Sequence, residues 1–457
     1  MRALEIEFSE LVETSRLDAY FHLSPGRRLA KYASDGVPRH EALASREVFD
    51  AEVWAPPRFK RVYAVQGEPA MPYLRPSDTL NFLPSAADFL SAERNPNVRK
   101  YQIDPGTILV TCSGRNLGPT VYVDEYLSGF LLSHDMVRIK IEDEDLRFYL
   151  LGLLGSETGQ LLLRKDKSGS VIDHISADHV SSLQVPMVEE AQIAKVADLI
   201  RKAVNLREDA RLSLQRLQKE YEATLPKIPN PKSTPASWTI SSSELCNRID
   251  AAPYLDSVQK VRKALLDSGG CKLADIAEAL KPLGRYRTNY VDSAHGVPIL
   301  SGGQLLQAKL LNPKFIARQA LTEIERYRLG SGWIAYPADG RAEEALGEPV
   351  MVIKSREDWL ASGHVGRLVS KIREDAGRLY LSFKTPHAQM QLKALCSGSV
   401  VDATFPEDAL SIILPPLPET TGQSIENCWA KFHEAEECEE KAYAIIEEEL
   451  GSIWQSS

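Results

Sequence analysis

Gly106–Arg115 reads GTILVTCSGR, and Gly332–Arg341 reads GWIAYPADGR. Each is a glycine, an apolar run of strand type and a closing Gly-Arg pair, set 226 residues apart. Matched phrases lie on either side. RLDA (Arg16–Ala19) is answered by RIDA (Arg248–Ala251), and RFKRVYA (Arg58–Ala64) by RYRTNYV (Arg285–Val291). MPYL (Met71–Leu74) is answered by VPIL (Val297–Leu300), and SGSVID (Ser168–Asp173) by SGSVVD (Ser397–Asp402). The five offsets are 232, 227, 226, 226 and 229, and the phrases keep their order. Ordered phrases at a nearly constant offset mean one domain written twice, with a few insertions between copies.

Each copy closes on a short apolar run stopped by proline, SLQVPMV (Ser182–Val188) and SIILPPL (Ser411–Leu417), and a helical segment follows each. In the first segment Ile193, Val196, Ile200, Ala203, Ala210, Leu214, Leu217 and Tyr221 fall at alternating steps of three and four, and Arg207 takes one slot of the series. That period of 3.5 is a coiled-coil seam. Pro226, Pro229 and Pro231 end it. Such a helix spans about 54 Å. The second segment has a weaker seam at Ile425, Cys428, Phe432, Ala435, Ala442, Ile446 and Leu450. Neither helix can bury its stripe alone. The simplest solution pairs them antiparallel as a rod between the copies; the alternative packs each on its own globular domain. The Pro/Ser-rich stretch Pro226–Glu244 reads as a linker.

The fold class expected is therefore α+β, two duplicated globular domains separated by two long antiparallel coiled-coil helices. The boundaries are 1–188 and 244–418 for the domains, 189–226 and 419–457 for the helices, and 227–243 for the linker. Within the copies, Val62–Val65, Thr107–Thr111, Val121–Val123, Met136–Ile141, Val350–Ile353 and Arg378–Phe383 read as strands, and Leu146–Leu154 and Pro386–Leu395 as helices.

Composition is that of an ordinary water-soluble chain, 43% hydrophobic and 26% charged. No apolar run is long enough for a membrane span, and the acidic N-terminus is unlike a secretory leader. Cys112, Cys246, Cys271, Cys396, Cys428 and Cys438 form no pair or cluster at metal spacing, which fits a reducing cytoplasm and no metal site. The net charge of −9 is unevenly spread: Glu419–Ser457 holds ten Glu and two Lys, so the remainder is nearly neutral. Local basic clusters can then form positive faces, which is what DNA binding needs. No phosphate-binding loop, dinucleotide fingerprint, zinc-protease helix or nucleophile elbow occurs. The Pro-Pro pairs, in APPRF and LPPLP, lack the form with which adenine methyltransferases hold their target amine. His134, His174, His179, His364 and His387 are dispersed and read as surface or satisfied core residues. No catalytic residue and no cofactor are assigned.

The duplicated phrases in this order, each copy followed by a heptad helix, resemble the specificity subunits of type I restriction–modification systems over nearly the whole chain. The resemblance implies two target recognition domains, 1–188 and 244–418, each reading one half of a bipartite site in double-stranded DNA. It implies that the helices are conserved spacers docking two methyltransferase subunits, and it allows for a restriction/translocase subunit. It implies no enzymatic activity of the chain itself. The chain departs from the family pattern at GWIAYPADGR, where a G-D-I-L-type strand is usual, and in the acidic second helix, which lacks the usual P-x-x-E-Q start.

Candidate DNA contacts follow from basic residues at repeated places. Arg115 and Arg341 share the Gly-Arg slot, where Gly lets a loop approach the duplex and Arg can pair with guanine or grip phosphate. Lys60, Arg61, Arg285 and Arg287 sit in the repeated aromatic-basic phrase, with a solvated strand end as the alternative. Arg164, Lys165 and Lys167 form a basic loop suited to phosphate. Tyr63 and Tyr290 match each other and are expected in the core. Asp18 and Asp250 are expected to fix turns, as are Gly169 and Gly398. The competing readings are a DNA-targeting subunit of another phage-defence system, a nuclease or transferase, and a coiled-coil scaffold.

Overall fold

The computed structural model describes residues 11, 12, 22, 26, 29, 40–65, 67–95, 98–165, 174–229, 237–242, 245, 249–281, 289–318, 324–342, 344–398, 401–419 and 421–455. The chain divides into two compact units: Met1–Leu80 with Pro84–Glu208 and Glu434–Ser457, and Asn81–Leu83 with Asp209–His433. The division falls inside the two long helices.

The first unit contains β1 (His40–Ala42), β2 (Glu52–Trp54), β3 (Ala70–Leu74), β4 (Asp88–Ser91), β5 (Ile108–Thr111), β6 (Thr120–Tyr122), β7 (Leu131–Leu132), β8 (Met136–Lys140) and β9 (Gln184–Pro186). They form sheets of order β2-β8-β5-β6, β4-β3-β7 and β1-β9. β5 is buried along its whole length, which explains its unbroken apolar run. Helices α1 (Glu144–Gly155), α2 (Glu157–Arg164) and α3 (Ala177–Ser181) complete the domain. The core gathers Ile108, Val110, Ile139, Tyr149, Leu153 and Val185 with residues of the long helices.

The second unit contains β10 (Cys271–Lys272), β11 (Ala277–Leu280), β12 (Tyr290–Val291), β13 (Gly296–Leu300), β14 (Lys314–Ala317), β15 (Ile334–Pro337), β16 (Asp339–Gly340), β17 (Val350–Met351), β18 (Leu360–Ala361), β19 (Val365–Ser370), β20 (Asp402–Ala403) and β21 (Ile413–Leu414). The sheet orders are β11-β19-β15-β17, β12-β14-β13-β18, β10-β21 and β16-β20.

The two units repeat each other residue pair by residue pair. In the first, Leu109 pairs antiparallel with Arg138 and with Val121. In the second, Ala335 pairs antiparallel with Arg367 and with Val350. Tyr73 pairs parallel with Leu131, and Ile299 with Leu360. Met71 faces Leu90, and Val297 faces Ile316. Even the isolated bridge of Ser113 to His174 returns as the pairing of Asp339 with Ala403. A slip of one residue would turn every side chain to the other face, so a shared register means a shared core.

Buried arginines repeat as well. Arg138 on β8 donates from Nη1 to the Lys100 carbonyl at 3.3 Å. Arg367 on β19 donates from Nη1 and Nη2 to the Arg328 and Arg326 carbonyls, both at 2.7 Å. Burial pulls both guanidinium groups down to about 10. Each ties the large sheet to a 3-10 turn, Val98–Tyr101 or Ile324–Tyr327.

Arg378–Phe383, expected as a strand, is helical. It lies in α6 (Ala376–Lys384), which is followed by α7 (Pro386–Ala394) and α8 (Pro406–Leu410), with α5 (Asp256–Asp267) ahead of them. Leu379, Tyr380, Leu381 and Phe383 are all buried, and an unbroken apolar run fits a buried helix as well as a strand. The hydroxyls of Ser156 and Thr385 cap α2 and α7 at corresponding places, accepting from Gly159 N at 3.2 Å and Ala388 N at 3.3 Å.

The two long helices are α4 (Glu190–Glu222) and α9 (Gly422–Gln455). Their seams repeat too: Ile193, Val196, Ile200, Ala203, Ala210 and Leu214 correspond to Ile425, Cys428, Phe432, Ala435, Ala442 and Ile446. Glu439 fills the slot that corresponds to Arg207, and these two pair across the helices with a separation of 232 residues. Within the first unit, Gln192 donates to Glu449 at 2.9 Å and Lys202 lies 2.7 Å from Glu434, so the helices run antiparallel there. Within the second unit, Ala210, Leu214 and Tyr221 share a core with Ile425, Cys428, Trp429 and Phe432, and Lys431 pairs with Asp209. Among the described residues no helix is long and apolar enough to cross a membrane.

Candidate nucleic-acid interface

Arg115 lies in the turn between β5 and β6. Gly114 and Gly118 in that turn have φ of +99° and +96°, which glycine adopts without cost. The Ser113 hydroxyl donates to Asp135 Oδ1 at 2.8 Å, and the Ser133 hydroxyl to Asp135 Oδ2 at 3.2 Å. His134 Nε2 is 3.6 Å from the same carboxylate. Phe59 stacks on Tyr101 at 3.9 Å and meets His134 edge-on, while Arg61 lies over the Tyr73 ring at 5.5 Å. Burial would push the Asp135 carboxyl up, but the Ser113 bond and the neighbouring His134 outweigh it and hold it below its usual range. Burial pushes His134 down; Asp135 opposes this, and Arg61 and Arg58 add to it. The basic phrase at Arg58–Arg61 and the turn of Arg115 therefore meet at one corner. Arg115 and Lys60 are exposed there, and Arg61 is half-buried.

Arg164 braces this corner. It stands in the last turn of α2, where Nε donates to the Leu117 carbonyl at 2.9 Å and Nη2 to Gln160 Oε1 at 2.7 Å. Gln160 Nε2 in turn donates to the Gly118 carbonyl at 2.9 Å. A Cβ at Gly118 would lie 2.7 Å from Gln160 Oε1, so the missing side chain lets α2 approach. Arg164→Ala removes the charge-assisted bonds to the Leu117 carbonyl and to Gln160 Oε1, and we expect a stability loss of about 1–2 kcal/mol. Hydrogen exchange should quicken at residues 113–118 and not in β5 itself; unchanged protection of the turn would remove the bracing role. Lys165 is half-buried beside it. Lys167, Arg285, Arg287, Asp18 and Gly169 lie outside the described residues.

The corresponding corner of the second unit has the same backbone and different chemistry. Asp339 stands where Ser113 does, and His364 where Asp135 does. Asp339 Oδ2 accepts from or faces His364 Nδ1 at 2.6 Å, and its Oδ1 is 2.6 Å from Lys281 Nζ. Lys281 also donates to the Thr404 carbonyl at 2.9 Å and lies 5.2 Å over the Phe405 ring. The carboxylate has moved from one loop to the other, and a lysine has been added. Arg341 follows, with its side chain 75% exposed and Glu344 4.0 Å away. Gly398, next to the Ser397–Ala403 bridge, takes φ +142°, a conformation that favours glycine. Asp250 sits in coil just ahead of the 3-10 turn Ala252–Tyr254.

Tyr63 and Tyr290 are not core residues: they are 47% and 54% exposed. Tyr63 bridges Leu90 beside the sheet of order β4-β3-β7, and Tyr290 pairs with Ile316 on β12 at one end of the order β12-β14-β13-β18; among the described residues no further strand pairs with either. Lys314 lies 5.2 Å over the Tyr290 ring. Ser113, Asp135 and Asp339 were not singled out from the sequence, and His364 was read there as one of the dispersed histidines of surface or satisfied core. The signal was a further alignment, LLSHDMVRIK (Leu131–Lys140) against LASGHVGRLV (Leu360–Val369), which also exposes the two buried arginines. Among the described residues no group of three or more His, Cys, Asp or Glu could hold a metal ion.

No family model matches the chain, and no curated protein matches it. Among solved structures, the type I restriction–modification S subunit from M. genitalium covers 91% of this chain and 92% of its own length, at 13% identity and a TM-score of 0.29. The HsdS subunit from Thermoanaerobacter tengcongensis covers 88% and 96%, at 12% identity and a TM-score of 0.25. A chain from a study of assembly and conformational transition of the type I R-M system covers 87% and 98%, at 14% identity and a TM-score of 0.27. The duplication rests on this chain's own register, in which Leu109 and Ala335 hold the same place.

Proposed function

We propose that the chain is the DNA-specificity subunit of a type I restriction–modification system. The observation that carries this reading is one scaffold built twice with one register and two different corner chemistries. A duplicated enzyme would keep its reacting groups. A duplicated reader keeps its frame and changes the groups that face the sequence, because its two halves read different bases. The motif resemblance points the same way. In this reading 1–188 and 244–418 are the two target recognition domains of a bipartite duplex site. The helices act as spacers keeping the two contacts about one helical turn apart, and dock two methyltransferase subunits. The chain itself does no chemistry, and the reading leaves room for a restriction/translocase subunit.

The test is capture of the methyltransferase encoded beside it, then single-molecule sequencing of DNA modified by the complex. A bipartite methylated motif with a fixed gap is the expected result. A stable complex that modifies nothing would move the chain to a targeting subunit of another phage-defence system, and absence of any methyltransferase partner would overturn the proposal.

A further inference from the structure

Arg207 and Glu439 are each other's counterparts in the two repeated helices, and they pair with each other. Arg207 Nη1 and Nη2 donate to Glu439 Oε1 and Oε2, both at 2.5 Å, and each residue is 7% exposed. Ala203 clusters with Ala435, its own counterpart, and Lys202 pairs with Glu434, its own counterpart. Gln192, further out, meets Glu449, which is not its counterpart. In an antiparallel pair of repeated helices, a residue faces its own counterpart only at the midpoint. The midpoint of this pair therefore lies near Ala203–Arg207 and Ala435–Glu439.

Midpoint positions decide what a helix can pair with. If α4 met a second α4 in the same antiparallel way, Arg207 would face Arg207 and Lys202 would face Lys202. If α9 met a second α9, Glu439 would face Glu439 and Glu434 would face Glu434. From Ile193 to Leu214 and from Ile425 to Ile446 the two seams are otherwise alike and apolar, so within these stretches the seam charge that separates the counterpart from a copy of itself is the one at Arg207 and Glu439. We infer that Arg207 and Glu439 are the selectivity element of the interaction surface on these helices, whose fitting partner is the counterpart helix and not the same helix of a second chain. Burial burdens such a pair with desolvation, so its return is in specificity more than in stability. The charge of the guanidinium is secured all the same: burial disfavours it, and the Glu439 carboxylate more than compensates.

The test uses the whole chain with a protease site inserted between Pro226 and Glu244, purified intact and then cut. The pieces are separated in urea, returned to buffer and weighed by native mass spectrometry. Wild type should return unlike pairs at least about tenfold over like pairs, where random pairing would give about half. R207L/E439L should rejoin as readily but yield like pairs near the random share, while the swap R207E/E439R should keep the wild-type preference. Like pairs at the random share in wild type would overturn the inference, as would pieces that fail to rejoin, or a Leu/Leu variant as selective as wild type. In the uncut chain, R207E and E439R should each lower Tm and the swap should recover most of the loss; a swap as low as the two singles together would also overturn it.

Discussion

Arg341→Ala should lower affinity for the target DNA about ten- to a hundredfold and relax the sequence on one side of the site only, if its guanidinium forks onto a guanine edge. Arg115→Ala should do the same on the other side. Neither change should unfold the chain, because the turns are set by Gly114, by the Ser113–Asp135 bond and by the Asp339–His364 bond, none of which involves the arginine side chain. Arg341 lies 4.0 Å from the exposed Glu344, a contact of little energetic weight. The corners differ behind them: Lys281 and His364 hold Asp339, two residues before Arg341, whereas Asp135 holds Ser113, two residues before Arg115. A phosphate contact would give another pattern, a uniform loss across sequences with the salt slope reduced by about one. Fluorescence anisotropy at several salt concentrations, with methylation profiles of the partnered complex, separates the two. Unchanged affinity and motif for both variants would remove these turns from the interface.

What the sequence disclosed was whatever repeats or has a period. Five phrases gave the duplication, and steps of three and four gave both long helices to within a few residues. What stayed hidden was decided by partners far away in sequence. Glu439 sits in the gap between Ala435 and Ala442 in the second seam; a charged residue there reads as an interruption until Arg207 is known to face it. Arg138 and Arg367 lie in apolar strands and look like solvent-facing positions, yet each is buried and spent on carbonyls of a 3-10 turn. Tyr63 and Tyr290 matched each other, and a match does not separate a core residue from an exposed one. Arg378–Phe383 was ambiguous in period, although alignment with Tyr149–Leu154 in the first copy would have settled it as helix. At the two corners the informative feature was a difference between copies, and a search for sameness passes over differences.

Phe82→Ala should destabilise the second unit by about 3–5 kcal/mol, the range for removing a fully buried aromatic ring. Phe82 belongs to the short segment Asn81–Leu83 that clusters with that unit although its neighbours in sequence do not. The ring is 2% exposed and lies 5.3 Å from Trp429 and 5.2 Å from Phe432, both in edge-on geometry. Its other face carries the Arg356 guanidinium at 4.5 Å, and Arg356 is itself buried, with Nη2 donating to the Gln307 carbonyl at 2.7 Å. The backbone is held separately: Phe82 N donates to the Leu306 carbonyl at 2.9 Å, and Arg211 Nε donates to the Phe82 carbonyl at 3.0 Å. Truncation would therefore leave the segment anchored and open a cavity beneath a buried cation, which cannot collapse without losing its carbonyl partner. Phe82→Leu keeps most of the volume and should cost less than about 1.5 kcal/mol. Trp429 is the natural reporter, so a urea titration followed by tryptophan fluorescence should show the midpoint falling in the order wild type, Leu, Ala at constant slope. A fall for Ala no larger than that for Leu would mean that ring burial and the Arg356 contact are not what holds this segment.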